Sequence, residues 1–186
     1  MLSAAEPVKA PSFMVPYGNA STGKKLSLSG FSGKVAVLSF FTWDCKNCMK
    51  EMPILASLYE KYREKGMELV FLHVGIEGLG SLGSDYKFGM KFSSKKIEAM
   101  FADVKDSVDW KKAAYYLDWN ILEKSPYVYH KFATDFKAKR VVATPHLVII
   151  DANGNNVYDH AGWFDRDDTG KKEIEHALVS ALESIK

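Results

Sequence analysis

Cys45 and Cys48 are the two cysteines of this 186-residue chain, and they stand three apart in Cys45-Lys46-Asn47-Cys48. Two thiols cannot build a multi-bridge framework, nor an all-cysteine zinc site, which takes four ligands. They can make one bridge. At i, i+3 on a helix both sulfurs lie on one face of a turn, close enough to join after small rotamer changes. If that turn opens a helix, its unpaired N–H groups and macrodipole favour a thiolate. Cys45, at the helix mouth, is then the exposed nucleophile, and Cys48, one turn inside, the shielded resolving thiol. A mixed cysteine–histidine site fits poorly, because the histidines stand at 73, 130, 146, 160 and 176 and no two are three to five apart. Structural zinc and an inert buried pair are the alternatives; the context favours dithiol–disulfide chemistry.

That context is a strand running into a helix. Val35-Ala-Val-Leu-Ser-Phe-Phe41 is a near-continuous apolar run of strand length, suited to burial on both faces. It follows the alternating stretch Lys25-Leu-Ser-Leu-Ser29 and a turn, Gly30 to Gly33. Met49, Met52, Leu55, Leu58, Tyr59 and Tyr62 recur at helical spacing across about 46–65, and Gly66 ends the segment. Met67 to Val74 is a second buried-type strand, so the three elements form a βαβ unit with a parallel strand pair. Near the other end, His146-Leu-Val-Ile-Ile150 is a strand, Asn153-Gly154 a hairpin turn, and Asn156-Val-Tyr158 an antiparallel return. An amphipathic helix carrying Ile174, Ala177, Leu178, Ala181, Leu182 and Ile185 closes the chain.

The middle is less regular. Gly75 to Gly89 holds five of the thirteen glycines and reads as an exposed loop. Ile97, Met100, Phe101, Val104 and Val108 mark a helix capped by Ser93 or Ser94. A shorter helix starts at Asp109-Trp110 and contains Ala113, Ala114 and Leu117; Tyr127-Val-Tyr129 reads as a third strand, and Ala133 to Lys139 as a short helix. The fold class expected is α/β with a mixed sheet, in a single domain over 1–186, with an N-terminal arm and hairpin (1–33) and a loop and helical insert (75–125). Composition agrees: the chain is 47% hydrophobic and 26% charged, which excludes dominant disorder. A formal net charge of +2 implies no field towards nucleic acid. No apolar run approaches the roughly 18–20 residues that cross a bilayer.

The segment Phe40-Phe-Thr-Trp-Asp-Cys-Lys-Asn-Cys-Met-Lys-Glu-Met-Pro53 resembles the active-site segment of the thioredoxin-like TlpA/ResA group. Ala10-Pro-Ser-Phe13 and Lys24 to Val35 look like that group's N-terminal hairpin and lead-in strand. Thr144-Pro145 through Gly154 looks like its cis-proline loop and closing hairpin; residues 78–125 are unmatched. The resemblance implies a thioredoxin-like fold, and an exported thiol–disulfide oxidoreductase of the kind that in some members serves cytochrome c maturation. By similarity Pro145 is cis and packs its loop against the cysteines, so that Thr144 and its neighbours meet an extended substrate. Pro53 kinks the helix rather than ending it. Glu77 aligns with a carboxylate placed near the buried cysteine, where it accepts or relays the proton of Cys48; an exposed loop glutamate is the alternative.

Two departures stand out. Trp43 lies one place earlier than the tryptophan that usually precedes the first cysteine, and Asp44 takes that position. A carboxylate there disfavours the Cys45 thiolate, while Lys46 favours it, so Cys45 is expected to be less acidic than in a strong oxidant. His146, directly after Pro145, is a candidate substrate contact, proton partner or soft-metal co-ligand; a strand histidine with its own hydrogen bond is the plainer reading.

The expected partners are a disulfide-containing client protein and a membrane-linked dithiol electron donor, with no nucleic acid, no cofactor and no metal, and the protein acting as a monomer. Two other functions compete. Thr42-x-x-Cys45 echoes part of the peroxiredoxin pattern, but Leu38 stands where that pattern wants proline. Cys45, Cys48 and His146 would offer soft ligands for a Cu(I) chaperone, though copper-binding relatives separate their cysteines by three residues. The expected compartment is periplasmic or otherwise extracytoplasmic. The chain opens without an intact signal peptide, yet Leu2-Ser3-Ala4-Ala5 resembles a cleavage site, and the proline-punctuated stretch to Pro16 resembles a mature exported start.

Overall fold

The computed structural model describes residues 8–15, 25–42, 45–74, 114–117 (backbone), 128–133, 143–163 and 169–185. The βαβ unit is present: β1 (Val35–Phe41), α1 (Lys46–Tyr62) and β2 (Met67–His73). The helix runs through Pro53 and tightens into a 3₁₀ turn, Arg63–Lys65, before Gly66. Gly66 sits in the left-handed region at φ 95°, where a side chain is strained. It then leads straight into β2. Further along lie β3 (Ala114–Leu117), α2 (Tyr129–Phe132), β4 (His146–Ile150), β5 (Asn156–Ala161) and α3 (Thr169–Leu182).

The five strands form one mixed sheet in the order β3-β2-β1-β4-β5. β1 pairs parallel with β2 and antiparallel with β4, with Phe40 opposite both Leu72 and His146. β1 is therefore central, and all seven of its residues are buried. Their alternation divides the core. Val35, Val37 and Phe41 face α1 and α3, packing with Cys48, Met52, Leu55, Leu178 and Ala181. Ala36, Leu38 and Phe40 point the other way, towards Val128 and Tyr129 of the α2 region and the N-terminal residues Ala10, Phe13 and Val15. That arm is tied down by backbone bonds from Val15 N to Leu26 O, Leu28 N to Phe13 O and Ala10 N to Gly154 O.

Two expectations for the middle of the chain need correction. Ala114–Leu117, expected within a short helix, is a strand parallel to β2, with Val70 opposite Ala114. A four-residue apolar run has no period of its own, and the pairing with β2 decides its state. In Tyr127-Val-Tyr129, expected as a strand, the two described residues are helical: Val128 has helical dihedrals and Tyr129 opens α2. Here β-favouring residue types yield to tertiary anchoring of the tyrosine. Of the helix expected over Ala133–Lys139, only Ala133 is among the described residues, and it is the extended cap that ends α2. The glycine-rich loop at 75–89 and the helix expected over 97–108 lie outside the described residues. Among those described, no helix is long and apolar enough to cross a membrane.

Candidate active site

The pairing geometry of β1 sets the location. Its last residue, Phe41, leads through Thr42 towards α1, and because β4 runs antiparallel, the segment entering β4 arrives at this same end. The cysteines and the Thr144-Pro145 loop therefore meet at the C-terminal end of β1. Cys45 and Cys48 are joined in a disulfide with their Cα atoms 5.2 Å apart. Cys45 is the N-cap of α1, and its sulfur accepts a hydrogen bond from the Cys48 N–H at 3.1 Å. The helix N-terminus thus presents a donor and its positive dipole end to the outer sulfur. Cys45 is partly exposed, whereas Cys48 is 1% exposed and belongs to the core. Lys46 and Asn47 between them are exposed.

The Thr144–Pro145 bond is cis, as expected. Thr144 Oγ1 lies 3.3 Å from Thr42 Oγ1, a direct tie between the proline loop and the segment entering the cysteine turn. On the other side of the loop, Gly162 N–H donates to Pro145 O at 2.7 Å.

His146 is not brought together with the sulfurs. Its ring faces away from α1, edge-on to Tyr129 and tilted against Phe40, and Nε2 donates to Asp159 Oδ1 at 2.6 Å. Strand alternation explains this: directly opposite Phe40, it shares the face that Phe40 occupies. The plainer expectation, a strand histidine with its own hydrogen bond, describes it, and the copper reading loses its third ligand. Trp43, Asp44 and Glu77 lie outside the described residues.

One titratable group escaped the sequence reading. Glu51, a turn beyond Cys48, is 1% exposed and accepts a hydrogen bond from Ser39 Oγ at 3.2 Å. Burial pushes its pKa up to about 7, against the opposing pull of the Ser39 bond. The signal was available, since 48, 51, 52 and 55 fall on one helical face and a glutamate there interrupts an apolar stripe. His73, the last residue of β2, is fully buried beside Phe41, their ring centroids 5.4 Å apart, and desolvation drives its pKa down to about 3. It is therefore neutral at physiological pH.

A mixed sheet, a disulfide opening its first helix and a cis-proline at the same end of β1 together define a thioredoxin-like fold. Residues 8–77 match the model of the AhpC/TSA family. The thiol–disulfide oxidoreductase ResA of Bacillus anthracis is 39% identical over 85 residues, 45% of this chain and 47% of that protein. ResA of Bacillus subtilis strain 168 is 33% identical over 91 residues, 48% of this chain and 49% of that protein. The chain thus spans about half the length of the curated relatives it matches. Solved structures agree on the fold over nearly the whole chain. A thiol:disulfide interchange protein of the thioredoxin family from Chlorobium tepidum superposes with a TM-score of 0.60 at 19% identity, covering 97% of this chain and 99% of that one. A thioredoxin-like protein from Aeropyrum pernix gives 0.58 at 22% identity, covering 91% and 89%.

Proposed function

We propose that this protein is a thiol–disulfide oxidoreductase that reduces disulfides of specific exported proteins through Cys45 and Cys48. The observation that carries the reading is the asymmetry of the bridge: one sulfur accessible at a helix mouth beside a cis-proline loop, the other buried one turn inside. In the reduced protein the Cys45 thiolate attacks one sulfur of the client disulfide. That bond breaks, the other client sulfur leaves as a thiolate and is protonated from solvent, and Cys45 and the client share a mixed disulfide. Cys48 gives up its proton and attacks Cys45 Sγ, expelling the second client sulfur as a thiolate, which is protonated in turn. The client has gained two electrons and two protons, and the protein carries the Cys45–Cys48 bridge. Glu51 is suited to take the Cys48 proton, because a carboxyl poised near 7 exchanges protons readily at neutral pH.

Thr144 and Pro145 form the rim along which an extended client lies. Lys46 and Asp44, the two sequence neighbours of Cys45, carry opposing charges that bear on its thiolate; by the resemblance alone, Trp43 is assigned to client contact and Glu77 to the Cys48 proton. In this reading a membrane-linked dithiol reduces the bridge to close the cycle, and the protein works outside the cytoplasm, as a monomer, in the kind of chemistry that cytochrome c maturation needs. The names of the relatives support the reaction class.

The test is an equilibrium titration against glutathione and dithiothreitol, followed by tryptophan fluorescence. The expected result is a single two-electron transition near or below about −250 mV. Cys45→Ser should abolish both the transition and disulfide turnover, and Cys48→Ser should accumulate the mixed disulfide. A midpoint near −120 mV, about that of a strong oxidant, would reverse the direction of electron flow. Without any transition the reading fails.

A further inference from the structure

The cis-proline loop is also held from behind, on the sheet face opposite α1, by groups that the redox steps do not use. Tyr129 is fully buried at the start of α2, and its hydroxyl serves both backbone groups of one loop residue. It accepts from Ala143 N–H and donates to Ala143 O, both at 2.9 Å. A buried phenol needs a hydrogen-bond partner, and a single backbone carbonyl would satisfy it. Taking both groups of Ala143 does more, because it fixes the chain two residues ahead of Pro145. The Tyr129 ring stands edge-on to Phe40, at 5.3 Å, and to His146, at 5.4 Å. His146 in turn is anchored to Asp159, whose second oxygen accepts from Asn156 Nδ2 at 3.1 Å. Thr144-Pro145 is thus fastened into one aromatic block by the residue before it and the residue after it.

We propose that Tyr129, backed by the His146–Asp159 pair, is a positioning residue for the cis-proline loop that sets how tightly the protein holds an extended disulfide-bearing polypeptide. It leaves the reactivity of Cys45–Cys48 untouched. The proposal rests on the oxidoreductase reading above. An extended polypeptide must lie along the loop backbone to present its disulfide, whereas a small disulfide reaches Cys45 without it. Loosening the loop therefore weakens the first and spares the second.

Pre-reduced wild-type protein, Tyr129→Phe and Asp159→Asn would be mixed with insulin and, separately, with 5,5′-dithiobis(2-nitrobenzoate). Tyr129→Phe keeps the ring and deletes only the hydroxyl. The half-saturating insulin concentration should rise about tenfold, with the limiting rate held within about twofold. The rate with the small disulfide and the midpoint potential should not move. Asp159 is 38% exposed in its side chain and tolerates replacement, so Asp159→Asn should show the same pattern at about two- to threefold and carries the test if the Phe variant does not fold. Unchanged insulin saturation in both variants, or an equal loss with both substrates, overturns the proposal. Wild-type protein that reduces neither substrate overturns the oxidoreductase reading itself, and this proposal with it.

Discussion

On the α1 side of the sheet the core includes Cys48, Glu51 and His73, groups that gain or lose protons or electron pairs. On the opposite side, the buried polar groups among the described residues include the Tyr129 hydroxyl and the His146 ring, which bond to Ala143 and Asp159. Asp159 shows what such pairing does. Burial opposes its charge, but the hydrogen bonds from His146 and Asn156 and the neighbouring histidines together outweigh that, and its carboxyl stays below the usual range. Among the described residues Glu51 accepts only from the neutral Ser39 hydroxyl, and burial wins. A half-exposed carboxyl that accepts from a histidine and an amide is held ionised; a fully buried one that accepts only from a hydroxyl is raised towards neutral pH.

The difference can be broken most severely from the non-redox side. Leu38 is fully buried there, and Leu38→Ala should cost about 2–5 kcal/mol in urea unfolding. Its midpoint potential should nevertheless match wild type, because the lost packing is common to the oxidised and reduced proteins. A potential that shifts with Leu38→Ala would show the two faces to be coupled.

Acidity sharpens the comparison within the α1 face. The folded pKa of Glu51 is raised from 4.5 to about 7, so its contribution is fully present below 4.5 and is lost as pH rises through about 7. Glu51→Gln should therefore stabilise the oxidised protein more at pH 8 than at pH 5, by about 2–3 kcal/mol. His73 works with the opposite sign. Its folded pKa is lowered from 6.5 to about 3, so its contribution is present above 6.5 and is lost as pH falls through 3. Paired thermal melts of wild type and Glu51→Gln across pH 4–8 read the difference. An increment independent of pH would mean that Glu51 is ionised in the folded state.

How much of this was legible followed from the range of the forces involved. The βαβ unit, the closing hairpin and the last helix could be read because their periodicity and turn residues are local, and Cys45, Cys48 and Pro145 stood at recognisable junctions. β3 and α2 could not, because Ala114–Leu117 is a strand only where β2 offers a neighbour, and Tyr129 begins a helix whose buried hydroxyl is anchored to the distant Ala143. His146 was misplaced for a subtler reason. Adjacency to Pro145 suggests nearness to the sulfurs, but alternation along β4 sends its ring to the other face. Glu51 was overlooked in favour of Glu77, although its place in an apolar stripe marked it as buried.

The smallest expected effect lies at the far end of β1 from the disulfide. Gly66 O accepts from Val35 N–H at 3.0 Å, which starts the β1–β2 pairing, and the residue holds φ at 95°. A Cβ there would come within 2.7 Å of the Ile185 side-chain tip, which can swing aside, so the backbone strain dominates. Gly66→Ala should lower stability by about 1–2 kcal/mol. Both redox forms carry that strain equally, so the midpoint potential and insulin saturation should stay at wild-type values. If instead the potential moved, the strain would be reaching Cys45 along β1, and the central strand, rather than the helix mouth and its buried acid, would be setting the reactivity of the pair.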